Sequence, residues 1–168
     1  MDATNPRPVP ARTAAVNIPL ALPSRLMIQY ALVGCGRIAQ KHLPEMLRTG
    51  TLAALCDTDE QRARQLAAGT GARVYTQLDE LLEQEPTVTV VVVCSPNGQH
   101  AEHAIKSLQA RRHVLVEKPM CLSSAAAWSM RDTAHFFRRK LFVVQQNRFA
   151  LFCHSKQAHA NSLLYKPT

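Results

Sequence analysis

The sequence predicts an α/β fold built on a doubly wound, parallel, six-stranded sheet with helices on both faces. Three observations carry this expectation. Short apolar runs alternate with stretches of helical length from residue 27 to residue 145. Such alternation, with short connections, is the pattern of a parallel sheet closed by right-handed crossovers. The run VTVVVVC at residues 88–94 is apolar on both faces of its pleat, so it must be covered on both sides, as a central strand is. The first apolar run ends in a glycine-rich turn, GCGRIA, that opens a helix.

Each element has its own signal. Residues 27–33 (MIQYALV) read as the first strand, broken by Gly34-Cys35-Gly36. The helix that follows extends to Thr49. Pro44 is expected to kink or restart it, because a proline inside a helix removes one backbone donor and clashes with the preceding turn. Residues 51–56 (TLAALC) form the second strand. Thr58 is expected to cap the next helix, with Gln61 three residues on completing a capping box. Gly69 and Gly71 end that helix. A weak third strand over 72–75 and a helix over 78–84, stopped by Pro86, lead to the central strand at 88–94. A helix over 99–111, a strand over 113–116, a helix over 123–138 and a strand over 141–145 complete the set. Six strands make a full doubly wound unit, expected in the order 3-2-1-4-5-6.

Composition narrows the class. Residues 1–26 are proline-rich and aperiodic and read as a leader outside the fold. They lack the basic segment and uninterrupted apolar stretch of a secretory signal. No apolar run approaches the roughly 20 residues that span a bilayer, so no membrane partner is expected. The five cysteines form no C-x-x-C pair and read as reduced thiols of a cytoplasmic protein. The histidines show no metal-ligand spacing, and no metal is expected. The net charge of +8 is scattered, with small clusters at Arg111-Arg112 and Arg138-Arg139-Lys140. With only 5% aromatic residues to stack bases, it reads as a solvated basic surface and not a nucleic-acid site.

Four stretches carry chemistry. Gly34-Cys35-Gly36-Arg37-Ile38-Ala39 reads G-x-G-x-x-A. In that pattern the first glycine makes the tight turn, the second lets the backbone approach a pyrophosphate, and the small third residue lets helix pack on strand. The helix start adds free N–H groups and a positive dipole end. Asp57, at the end of the second strand, can accept hydrogen bonds from an adenosine ribose diol and would repel a 2′-phosphate, which favours NAD over NADP. The loop Ser95-Pro96-Asn97-Gly98-Gln99-His100 follows the fourth strand, where ligands of open α/β sheets sit; it is also ordinary turn chemistry, with Asn97 able to cap the next helix. Glu117-Lys118-Pro119 follows the apolar run HVLV. A lysine at a strand's carboxyl end can reach a substrate hydroxyl; a surface ion pair is the simpler alternative.

In this order, GCGRIAQKHLP, the acid of CDTD, SPNGQH, HVLVEKPM and VVQQNRF make the chain resemble the Gfo/Idh/MocA dehydrogenases. The likeness covers residues 28–149. E-K-P is its most specific mark, and QQNRF is similar to members that oxidise the 3-hydroxyl of UDP-linked N-acetylated sugars or uronic acids. The resemblance implies a Rossmann domain with Gly34, Gly36, Arg37 and Ile38 on the pyrophosphate and Asp57 on the adenosine ribose. It implies that Ser95, Asn97 and His100 line the groove near the cofactor and that Glu117 and Lys118 sit beside the nicotinamide ribose. Lys118 would also touch the hydroxyl being oxidised, as the catalytic residue. Gln146, Asn147 and Arg148 would approach the nicotinamide and substrate edge.

Members of that family carry a second, α+β domain with a catalytic histidine in a D-x-x-x-H arrangement. Residues 150–168 (ALFCHSKQAHANSLLYKPT) contain no such motif and read as a short atypical tail. The chain is therefore expected to lack the substrate domain, to bind NAD weakly and not to turn over a sugar or nucleotide sugar alone. Oligomers are expected only of a full-length form. The alternative is a stand-alone NAD-binding or redox-sensing module.

Overall fold

The computed structural model describes residues 27–145. Its elements run β1 (Ile28–Val33), α1 (Arg37–Thr49), β2 (Gly50–Cys56), α2 (Glu60–Ala67), β3 (Arg73–Tyr75), α3 (Leu78–Gln84), β4 (Val90–Val93), α4 (His100–Gln109), β5 (His113–Val116), α5 (Ser124–Phe136) and β6 (Leu141–Val143). All strand pairs are parallel, and the sheet order is β3-β2-β1-β4-β5-β6. This is the predicted doubly wound order.

Side-chain alternation builds two cores. Ala31, Val33, Val91, Val93, Val114 and Val116 face Leu81 of α3, Ala104 and Leu108 of α4, and Met130 of α5. Leu32, Leu55 and Val92 face Ala39 and Met46 of α1 and Ala63 of α2. Each fully buried valine or leucine contributes about 1.5–3 kcal/mol. Strand propensities span only about 1 kcal/mol, so it is burial on both faces that makes a strand of VVVV. One irregularity serves the second core. β1 and β2 change register between Tyr30, opposite Leu52, and Ala31, opposite Ala54. Ala53 is the extra residue of this bulge, and Leu52 and Leu55 thereby share a face with Leu32.

Three local expectations are corrected. Pro44 does not interrupt α1, which runs unbroken from Arg37 to Thr49. Pro44 and Gln40 both lie on the exposed face, where the Gln40 carbonyl left without its helical donor can turn to water. The cap of α2 is Asp59, not Thr58; its side chain accepts from the Arg62 N–H at 3.0 Å. Asn97 caps nothing: it opens a single 3₁₀ turn, Asn97–Gln99, ahead of α4. Among the described residues no helix is long and apolar enough to cross a membrane.

Candidate functional site

The carboxyl ends of β1, β2 and β4 open into a cleft of about 550 Å³. It lies beside the β1–β4 junction, where the strand order reverses and open sheets bind ligands. The glycine turn, Asp57, Thr76, Gln77 and the Ser95-Pro96 loop line it. A second groove, about 580 Å³ and walled mainly by apolar side chains of α5 and β6, lies elsewhere and, among the described residues, gathers none of those predicted.

The two glycines of the turn serve different ends. Gly34 has φ +87°, and a Cβ there would stand 2.5 Å from the Ser95 nitrogen and 2.6 Å from the Cys94 carbonyl carbon. It is glycine because the turn is pressed against the end of β4. Its N–H donates to the Cys56 carbonyl at 2.8 Å. Gly36 is the reverse case: a Cβ there would meet nothing within 4 Å. Gly36 is the N-cap residue of α1 with no side-chain cap, and the first turn carries no acid. The helix thus starts with orphan N–H groups and uncompensated positive partial charge. The space beside Gly36 is a cradle that a side chain would fill. Ala39 is fully buried, so the helix packs directly on the sheet.

Asp57 borders the same cleft and is 8% exposed. Its Oδ2 accepts from the Cys35 N–H at 2.7 Å and its Oδ1 from the Asp59 N–H at 2.9 Å. Arg62 Nη1 reaches Oδ1 at 3.3 Å and Oδ2 at 3.4 Å. The carboxylate therefore ties the glycine turn to the start of α2 on its own. Its roughly four acceptor positions are all engaged, two by backbone N–H groups and two by the long Arg62 contacts, so a ligand hydroxyl at this carboxylate takes the place of Arg62.

The β4 and β5 loops meet beside the cleft. Ser95 lines it, and its hydroxyl pairs with His103 Nδ1 at 2.9 Å. Asn97 is exposed on the 3₁₀ turn and His100 is buried. Neither lies on the cleft wall, contrary to the expectation that both line it; the turn carries Asn97 outward, and the His100 ring is held by backbone carbonyls. Glu117 is buried at the end of β5 and bonds His42 of α1 at 2.8 Å. Lys118 is exposed, and the Lys118–Pro119 peptide is cis. Gln146, Asn147 and Arg148 lie outside the described residues.

Comparison with known proteins fixes what this arrangement is. Residues 28–145 match the Gfo/Idh/MocA family, described as an oxidoreductase family with an NAD-binding Rossmann fold. The chain belongs to this family. It is 33% identical over 110 residues to glucose-6-phosphate 3-dehydrogenase of Bacillus subtilis, covering 64% of this chain and 31% of that protein. It is 36% identical over 129 residues to D-glucoside 3-dehydrogenase of Escherichia coli, covering 74% and 36%. Among solved structures, the WlbA dehydrogenase of Bordetella pertussis in complex with NADH and UDP-GlcNAcA superposes with a TM-score of 0.72 at 32% identity, covering 81% of this chain and 42% of that one. The chain thus spans about a third of the length of these curated relatives.

This Gfo/Idh/MocA domain is an NAD-binding oxidoreductase domain related to sugar and nucleotide-sugar dehydrogenases. Its cleft contains residues that no sequence motif announces: Arg62, Thr76, Gln77 and His103. Arg62 leaves one trace, an arginine in the first turn of the helix that starts beside Asp57. The others leave none, since only the fold brings them to the cleft. Two thiols, Cys56 and Cys94, line it, and a third, Cys35, is buried in the glycine turn. Burial, with Asp57 and Cys56 nearby, pushes Cys35 up to about 12. Burial and Asp57 push Cys56 up to about 11, and burial and Glu117 push Cys94 up to about 12. All three stay protonated at neutral pH, so they pack and do not act as nucleophiles.

Proposed function

We propose that this chain is the cofactor-holding part of a dehydrogenase that oxidises a CH–OH group of a sugar or nucleotide sugar. The observation that supports the reading most directly is the open cradle beside Gly36, at the uncapped start of α1, in the cleft that Asp57 borders. The backbone N–H groups of Gly36, Arg37 and Ile38 hold the diphosphate, and Asp57 accepts from the adenosine ribose. Ser95 flanks the cofactor from β4. Glu117 and Lys118 stand at the nicotinamide end, where Lys118 hydrogen-bonds the hydroxyl under oxidation. When bound, NAD supplies the hydride acceptor. The sugar class of the substrate is supported by the relatives, which act on glucose 6-phosphate and on D-glucosides. A cytoplasmic location fits the free thiols.

Calorimetric titration of the 168-residue chain tests the reading. NAD is expected to bind and NADP to bind more weakly, because the 2′-phosphate meets Asp57. Hydrogen bonds to a charged group contribute about 1.5–3 kcal/mol, so Asp57→Ala should weaken NAD by roughly tenfold or more. Gly36→Val should fill the cradle and abolish binding while costing only about 1 kcal/mol of stability. No affinity for NAD in dilute buffer, or an affinity indifferent to Gly36→Val, would overturn it.

A further inference from the structure

We infer that His42 and His100 are positioning residues that fasten the Glu117-Lys118-Pro119 turn at the end of β5 and leave only the Lys118 side chain free. The inference rests on the cofactor reading above and assigns roles to two side chains that are not among the residues lining the cleft.

Side chains of two other elements, α1 and α4, hold the two ends of this turn, and Glu117 itself holds the residue between them. His42, on α1, donates from Nε2 to Glu117 Oε1 at 2.8 Å. The two side chains are 20% and 5% exposed, so this is a sheltered contact and not a surface pair. The other carboxylate oxygen, Oε2, accepts the Lys118 N–H at 2.9 Å. Glu117 thus spends both oxygens inside the protein, one on α1 and one on the backbone of its neighbour. His100, at the start of α4 and 1% exposed, is wedged between two carbonyls, with Nδ1 2.7 Å from Pro119 O and Nε2 2.8 Å from Ser95 O; a neutral imidazole carries one N–H, so the ring donates to one of them and packs against the other. Ser95 lines the cleft, so His100 joins the cleft wall to the turn that carries Lys118.

Among the described residues, the Lys118 ammonium makes no hydrogen bond and no ion pair. The backbone around it is fixed on both sides. Fixed supports and a free tip are what a group needs if it is to meet a ligand at a set distance, since the supporting residues and not the ligand then bear the ordering cost. His42 sits on the helix whose N-terminus opens the cleft, so one rigid helix sets both the diphosphate end and, through Glu117, the Lys118 end.

The test separates a positioning role from a general contribution to folding. ADP spans only the glycine turn and Asp57, whereas NAD also reaches the end of β5. The full chain is titrated with NAD and with ADP for wild type, His42→Ala, His42→Gln and Glu117→Gln. His42→Ala is expected to weaken NAD by roughly fivefold or more, the scale of one lost hydrogen bond, and to leave ADP within about twofold. His42→Gln, which keeps a donor, is expected to recover most of the NAD affinity. Glu117→Gln, nearly the same shape, is expected to repeat the NAD-selective loss if His42→Ala does not fold. Parallel loss of NAD and ADP, or unchanged NAD affinity in both His42→Ala and Glu117→Gln, would overturn this proposal alone. A wild-type chain that binds neither ligand would overturn the cofactor reading, and this proposal with it.

Discussion

Two residues apart, Gly34 and Gly36 respond to opposite pressures, and the same substitution should separate them. A methyl at Gly34 enters a positive-φ position against backbone atoms of β4. Left-handed backbone costs a non-glycine about 1–2 kcal/mol and overpacking typically adds about 1–3 kcal/mol, so Gly34→Ala should destabilise the fold by about 2–5 kcal/mol in urea unfolding. At Gly36 a methyl meets no protein atom, and Gly36→Ala should leave stability within about 1 kcal/mol while weakening NAD. Equal stability losses would contradict the assignment of one glycine to packing and the other to ligand space. Motif spacing makes both glycines and Asp57 legible as candidates in the sequence, while the Glu117-Lys118 pair is singled out by the family resemblance. His42 is not legible there. Its partner stands 75 positions away, and no local pattern encodes that distance. For the same reason the family resemblance directs His100 to the cofactor groove, while nothing local in the sequence shows that its ring sits between the Pro119 and Ser95 carbonyls.

The secondary-structure elements are legible wherever burial decides them and less so where a single cap or proline does. The β-branched runs of β4 and β5 and the apolar stripes of the helices state their own period. Pro44 misleads because the rule against interior prolines assumes that the abandoned carbonyl has nowhere to go. On the exposed side of α1 it has solvent. The missing bond still costs something: an interior proline is about 3 kcal/mol worse than alanine in a helix. Pro44→Ala is therefore expected to stabilise the chain by about 1–3 kcal/mol, read as a higher urea midpoint at unchanged slope. A fall in the midpoint would mean that the ring makes a contact worth more than the bond it forbids. The cap of α2 slips by one residue for a similar reason: Thr58 and Asp59 both suit an N-cap, and Asp57 fixes the choice by holding the Asp59 N–H.

Across the whole molecule, the strand order and the two covered faces follow from alternation and connection length alone. Electrostatics do not, because charge neighbours are set by folding. Burial, partly opposed by Glu102 and reinforced by Lys106 and His100, holds His103 below the ordinary imidazole value of 6.5. Burial, then Arg139 and Lys140, does the same to His113. Both histidines are thus neutral in the fold at pH values where the unfolded chain already protonates them. Below about pH 6.5 the unfolded state binds more protons, so stability should fall as pH drops from 6.5 through the lowered folded values. Above about pH 7.5 these two groups should contribute no slope. Urea unfolding at about pH 7.5 and about pH 5.5 checks this. A protein equally stable at both, or one whose decline survives replacement of both histidines by glutamine, would refute it. The bulge between β1 and β2 has a consequence at this scale too. Ala53 is a residue that β1 does not answer, so the second strand carries one more position than its ladder requires. A chain shortened by one alanine of the Ala53-Ala54 pair would regain simple alternation with Leu52 and Leu55 still on their present side. At that point a deletion is conservative, while an exchange of neighbours, leucine for alanine, would turn the strand inside out.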